Sequence, residues 1–385
     1  VIDKKDKILL ISWGVYPDQN GSSVIIHNLA RTLTNKIVVV GELPETIKPW
    51  DVINYPLIHI ETNILNLKRG IKYHKWLSFF RSFRRINQII KQHNCTKIIA
   101  VFPDEYFLSL SYILAKFNGI QLYPWLHNTY VENRSGLFKL LAEFLQPKVF
   151  KYSTKIFCMS DGLTQYYANK YNDAKFNTLR HPFDINISEI EIAKTNSNGP
   201  FTFAYTGSLN ESCRDASIRI CKAISMKANC KLIVFGQRNL NDLINAGIPS
   251  EYMQSFGFLE KEVFDQQLKM CDFMILAHGF RGTLSDVEYD TIFPTRTVPL
   301  LYCGKPIVAH ASATSFLGIW IKQNNCGYLI SSEDQDKISS AIDVLIYDIE
   351  LQKTLVSNAK KMSLLFDSNI VSNELLTLIN YNQID

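Results

Sequence analysis

No apolar run in this 385-residue sequence approaches the ~18 residues that a membrane-spanning helix needs, and no charged-then-apolar leader follows Val1. The expectation is therefore a cytoplasmic chain. The eight cysteines include no CxxC pair and no Cys/His pair at metal spacing, so neither a zinc site nor a disulfide framework is expected, and they read as reduced, buried small side chains. Neither GxGxxG nor GxxxxGK[ST] occurs, which removes the usual sequence support for dinucleotide oxidoreduction and for P-loop phosphoryl transfer. Acidic residues are absent from Thr62 to Pro103, a segment holding nine Lys and Arg.

Disorder is excluded by a content of 46% hydrophobic and 12% aromatic residues, and the length suits two domains rather than one core. The net charge of +5 is unevenly spread. Residues 1–190 carry 24 basic against 15 acidic side chains, whereas 191–385 carry 17 against 21.

The first half opens with the buried-strand run Lys7 to Ser12, a turn-rich loop to Gly21, and a helix whose N-cap is read as Ser22. Further strands are expected at 37–40, 97–102, 121–126 and 155–159, with helices at 76–93, 104–118, 136–151 and 161–171. Polar, turn-forming sequence from Asp184 to Pro200 marks a boundary. The same alternation then restarts with strands at 201–206, 231–235, 273–277 and 306–310 and a helix at 216–227. Alternating strands and helices imply parallel sheets covered on both faces. The fold class read from this is α/β, with two Rossmann-like lobes facing across a cleft: residues 1–185, residues 200–365, and a terminal helix at 366–385 packing back on the first lobe.

In such sheets ligands lie beyond the carboxyl ends of the strands. The loops of interest are therefore 13–23, 126–135, 207–214, 236–239, 278–296 and 310–315. Asn20-Gly21-Ser22 and Gly207-Ser208 each set a glycine before a helix, where free amides and the dipole favour a phosphate. Pro294-Thr295-Arg296 reads as a third such helix start, closed by Gly304 before a buried strand.

The stretch Phe293 to Val308 resembles the FPTK-type helix and GKPI strand of GT-B fold glycosyltransferases, family 4 relatives in particular. Six further segments fall in that family's order: the 17–21 loop, His127 after a strand, Ser160-Asp161-Gly162, His181-Pro182-Phe183-Asp184, Tyr205-Thr206-Gly207-Ser208, and Phe256-Gly257-Phe258-Leu259 with Asp272 beyond. The resemblance implies a nucleoside diphosphate-sugar, UDP or GDP, in the second lobe and an acceptor in the first. It places Phe258, Leu259 and Gly236 at the base, and Asn20, Gly21, Gly207, Ser208, Arg214, Thr291, Pro294, Thr295 and Arg296 at the sugar and diphosphate. His127 would border sugar and acceptor. The family retains anomeric configuration without a metal, and no cofactor is expected.

Two departures from the family pattern stand out. Thr291 and Pro299 occupy the positions of the family's Glu-x7-Glu pair, and Ser208 stands where arginine is common. Glu288 or Asp290, in a long polar loop, could replace the first glutamate, and Arg214 or Arg296 the missing phosphate charge. The Asp334-Gln335-Asp336 triplet is read as a helix start with acids at its positive end rather than as a metal site. Structural roles are expected for His27, His59, His74 and His93.

The basic segment 68–97 is read either as a solvated face or as a contact for an anionic membrane, the latter suiting a lipid-linked acceptor at the inner face of the cell membrane. A nucleic-acid partner is not expected. The resulting expectation is a retaining transferase that moves a sugar to a glycan or lipid-linked acceptor in surface polysaccharide assembly. A GT-B sugar-nucleotide epimerase and a non-catalytic two-lobed binding protein are the alternatives.

Overall fold

The computed structural model describes residues 7–44, 49–63, 72–102, 104–172, 175–185, 200–257, 259 and 261–380. Its contacts divide the chain into two units, Val1–Asp184 with Asp367–Asp385, and Ile185–Phe366.

Unit 1 holds strands β1 (Lys7–Ser12), β2 (Ile37–Glu42), β3 (Leu57–Ile60), β4 (Cys95–Phe102), β5 (Gln121–Leu126), β6 (Ile156–Cys158) and β7 (Phe176–Thr178). They form one parallel sheet in the order β3-β2-β1-β4-β5-β6-β7. Leu9, Leu10, Ile11, Val38 and Val39 have no exposed surface, as expected for strands covered on both faces. The helices are α1 (Gly21–Leu33), α2 (Phe79–His93), α3 (Glu105–Asn118), α4 (Gly136–Tyr152) and α5 (Asp161–Tyr171).

Unit 2 holds β8 (Phe201–Tyr205), β9 (Cys230–Phe235), β10 (Met253–Phe256), β11 (Phe273–Ala277), β12 (Ile307–His310) and β13 (Tyr328–Ile330), in the parallel order β10-β9-β8-β11-β12-β13. Its helices are α6 (Arg214–Ser225), α7 (Gln237–Asn245), α8 (Lys261–Lys269), α9 (Asp286–Thr291), α10 (Thr297–Tyr302), α11 (Phe316–Asn324), α12 (Gln335–Tyr347) and α13 (Ile349–Ser363). A final helix, α14 (Ser368–Asn380), returns to unit 1. There Val371, Leu375 and Ile379 join the core made by α1 and β1, and the Ser368 amide donates to the Phe183 carbonyl at 2.9 Å.

Four local expectations are corrected. Helix α1 is capped by Asn20, not Ser22: the Asn20 side chain accepts from the Ser23 amide at 3.0 Å, which makes Gly21 the first helical residue. Trp76 lies in a 3-10 segment, Lys72–Ser78, before α2 begins at Phe79. Helix α10 begins at Thr297, three residues after Pro294, because the Thr297 and Val298 amides are spent on a turn, bonding the carbonyls of Pro294 and Thr295. Pro299 fits in its first turn, where no N–H is needed. The long polar loop after β11 contains α9, started by Ser285, whose hydroxyl accepts from the Glu288 amide.

All eight cysteines are free thiols; Cys303 is half-buried and the others are buried. Among the described residues no group of His, Cys, Asp or Glu is arranged to hold a metal. Asp334 caps α12 by accepting from the Lys337 amide at 3.0 Å. No described helix is long and apolar enough to cross a membrane.

Candidate functional site

In unit 2 the strand order reverses between β8 and β11, and the loops that follow these strands are tied together there. Gly207, just past β8, has φ +74°, a backbone region that glycine enters without strain. The Arg296 guanidinium lies over it, about 3.5 Å from where a Cβ would stand. Arg296 donates to the Ser208 carbonyl at 2.7 Å and to the Thr206 carbonyl at 3.5 Å. So Gly207, Ser208 and Arg296 meet, but the arginine is held by carbonyls of the loop. Arg214, half-exposed at the start of α6, forms no ion pair with a described residue and is not held by the loop carbonyls that engage Arg296.

Asn239 was not singled out from the sequence, and it organises the neighbouring loop. Its Nδ2 donates to the carbonyls of Gly207 and Phe235, both at 2.7 Å, and its Oδ1 accepts from the Leu209 amide at 3.1 Å. One buried amide thus joins the ends of β8 and β9, beside Gly236 at φ +94°. An Asn three residues after a strand-end glycine was the available signal. Leu259 is half-buried beyond β10; Phe258 lies outside the described residues.

The loop after β11 docks on the start of α6. The Gly279 amide donates to the Ser212 carbonyl at 2.8 Å, the Phe280 amide to Asp215 at 3.2 Å, and the Tyr289 hydroxyl to the Glu211 carbonyl at 3.1 Å. Arg219 pairs with Asp215 at 2.8 Å and donates to His310 Nε2 at 3.3 Å. His310 is consequently a neutral ring whose Nδ1 donates to the Ile330 carbonyl, and burial holds its pKa down at about 4. His278 likewise donates from Nε2 to the Tyr289 carbonyl and is lowered to about 4 by burial.

Glu288, expected in an open loop, is 3% exposed on α9. Thr291 is buried on the same helix and donates its hydroxyl to the Val287 carbonyl at 2.6 Å. Asp290 is exposed, its pKa raised by partial desolvation and by Asp286. Pro294 and Thr295 are half-buried in the turn before α10, and their carbonyls accept from the Thr297 and Val298 amides.

In unit 1, His127 follows β5, its amide bonded to the Phe102 carbonyl at 3.1 Å and its ring edge-on to Trp125. Its Nδ1 lies 2.8 Å from the Ser22 hydroxyl on α1, so the Asn20-Gly21-Ser22 loop and His127 are neighbours. Its Nε2 is buried and has no hydrogen-bond partner. Burial, with His181 nearby, lowers its pKa well below the ordinary value. Two other carboxylates on this side are engaged. Glu132 accepts from Tyr166, Tyr167 and Lys170, and Asp104 caps α3 with Lys75 3.7 Å away.

Comparison with known proteins agrees with this architecture. Residues 188–362 match the family model described as glycosyl transferases group 1. Sucrose-phosphate synthase from Thermosynechococcus elongatus shares the fold at TM-score 0.75 and 12% identity, over 98% of this chain and 99% of that one. HepE of Anabaena, in complex with UDP and glucose, does so at 0.71 and 14%, over 97% and 99%. The lipopolysaccharide outer core galactosyltransferase WaaB, in its apo form, follows at 0.69 and 14%, over 98% and 99%. No curated protein matches the sequence. The chain has the two-unit α/β fold of the GT-B glycosyltransferases, and its second unit carries the group 1 signature.

Proposed function

We propose that this protein transfers a sugar from a nucleoside diphosphate-sugar, UDP or GDP, to a hydroxyl of a glycan or lipid-linked acceptor in surface polysaccharide or glycoconjugate assembly. The observation that carries the reading is the group 1 match over 188–362, on the unit whose loops converge where its strand order reverses. HepE, of the same fold, is a complex with UDP and glucose, which favours UDP as the first donor to test.

The chemistry follows from charge. Breaking the sugar–diphosphate bond puts negative charge on phosphate and positive charge on the ring, so fixed donors are needed at the first. Arg214 and the glycine-loop amides are assigned that work, Glu288 is assigned to the sugar, and the Gly236 and Leu259 backbone to the base. Departure and attack on one face, with the leaving phosphate taking the acceptor proton, retain configuration and call for no protein nucleophile and no metal. The engaged state of Glu132 and Asp104 supports this, since neither is placed to serve as a free base.

Thermal unfolding against UDP, GDP, ADP, CMP and their common sugars, with and without magnesium, tests the donor. A ligand at 100 times its Kd contributes about 2.7 kcal/mol, several degrees in melting temperature. A magnesium-independent shift with one nucleoside diphosphate is expected. No shift with any would overturn the donor assignment in favour of a binding protein for another ligand. Anomeric analysis of the product then separates retention from inversion, and a free sugar nucleotide as product would indicate an epimerase.

A further inference from the structure

The chain steps from β3 to β4, β5 and β6 in one direction across the unit 1 sheet, and right-handed crossovers put the connecting α2, α3 and α4 on one face. Ring contacts join this layer, Phe83 to Phe117 at 5.4 Å and Tyr112 to Tyr152 at 5.6 Å. Helix α1 steps the other way and packs with α14 on the opposite face.

The outer side of this layer is unusually apolar for a surface in water. On α4, Leu137, Leu140 and Phe144 are 75%, 63% and 61% exposed, at the i, i+3, i+7 spacing of one stripe, while Ala142, Leu145, Val149 and Phe150 face the sheet. Phe80 on α2 and Phe117 on α3 are 79% and 66% exposed. The three helices also carry eight exposed cations: Arg81, Arg84, Arg85 and Lys91 on α2, Lys116 on α3, and Lys139, Lys148 and Lys151 on α4. Against these stands one exposed acid, Glu143, since Glu105 is buried and paired with Arg134. The stripe on α4 runs from Leu137 through Phe144 to Lys148, whose ammonium sits 3.2 Å from the Phe144 ring centre. Beside α2, a cavity of about 480 Å³ is lined by His59, Glu61, Arg81, Arg84, Arg85 and Gln88, with Arg81 3.5 Å from Glu61 and Arg84 and Arg85 in no ion pair with a described residue.

We propose that the α2–α4 face of unit 1 docks on an anionic lipid surface, with Leu137, Leu140 and Phe144 entering the acyl boundary and the cations meeting the headgroups. Apolar side chains interleaved with cations on stems long enough to reach outward match the layered chemistry of a bilayer surface. The excess of exposed cations over exposed acid on the three helices supplies the charge complementarity, and Arg84 and Arg85 at the cavity, rather than the Glu61-paired Arg81, meet an acidic headgroup. This moves the membrane contact expected of segment 68–97 from one basic helix to a three-helix layer, in which α4 supplies the apolar anchor. It extends the proposed lipid-linked acceptor, yet its test is binding and not turnover, so either reading can fail alone.

The experiment is co-sedimentation of the full chain with vesicles of phosphatidylcholine alone or mixed with phosphatidylglycerol. Binding to the mixed vesicles only is expected, weakened but not abolished by high salt. A Leu140→Glu/Phe144→Glu variant should bind about tenfold less tightly, and an Arg81→Gln/Arg84→Gln/Arg85→Gln variant should lose a comparable factor. Val344→Glu, at an exposed site in unit 2, serves as the control and should bind as the parent does. In a Phe144→Trp variant, brominated lipid should quench the added fluorescence, a readout that needs no loss of binding. A parent that ignores anionic vesicles, a Leu140→Glu/Phe144→Glu variant that binds as the parent does, or fluorescence of the Phe144→Trp variant that brominated lipid leaves unquenched would each overturn the proposal.

Discussion

The two units share a sheet grammar but place their functional groups differently. In unit 1 the conspicuous features are side chains: a buried His127 against Ser22, and a basic, apolar helix face. In unit 2 they are main-chain groups, the carbonyls of Thr206, Gly207, Ser208 and Phe235 held by Arg296 and Asn239. A side chain can be read from a sequence, whereas a carbonyl's direction depends on the loop that carries it. This is why Asn239, whose partners are loop carbonyls and an amide, was overlooked.

The largest effect is expected where one side chain serves several main-chain groups. Asn239→Ala removes three hydrogen bonds at a buried site, and unpaired groups there cost about 1–3 kcal/mol each. Calorimetry should show unit 2 melting several degrees lower, with unit 1 unchanged and the nucleotide-induced shift abolished. A uniform loss in both units would break the distinction.

Acid should erase the contrast. His127 and His181 in unit 1, and His278 and His310 in unit 2, are kept neutral by burial, His181 at about 3 and the latter two at about 4. An unfolded chain takes up protons near pH 6.5 that the folded one refuses. Stability is therefore complete above that value and falls as pH drops toward 4, by up to about 2 kcal/mol per histidine at pH 5. Urea midpoints at pH 7 and pH 5 should fall for both units together.

Smaller and more specific changes sharpen the comparison. Arg296→Met frees the Ser208 carbonyl and should lower donor affinity about tenfold, with a stability loss of about 1–2 kcal/mol, read by calorimetric titration. His127→Asn should leave nucleotide binding intact while reducing kcat. The expected stability change is about 1 kcal/mol, since a hydrogen bond to Ser22 is lost and a cavity opens.

Much of the fold was legible because central strands announce themselves. Leu9–Ile11 and Phe273–Ala277 are fully buried apolar runs, and these strands were placed within a residue or two. The strands that went unread, β3, β7, β10 and β13, are the four sheet edges, three or four residues long and only partly buried. Edges are kept short because a long apolar edge invites aggregation, and three or four residues leave too little pattern to read. The short helices α9 and α10 were misjudged for a related reason. At six residues each, their ends are set by turn bonds such as Pro294 to Thr297, which leave little periodic signal.

The return of α14 to unit 1 orders events during synthesis. Unit 2 is in effect an insertion within unit 1, whose core lacks Val371, Leu375 and Ile379 until α14 emerges. A nascent chain halted after Phe366 would hold every residue of unit 2 and an open groove along α1. The later-coded domain would thus be the first to finish folding, and the first-coded one would wait for α14.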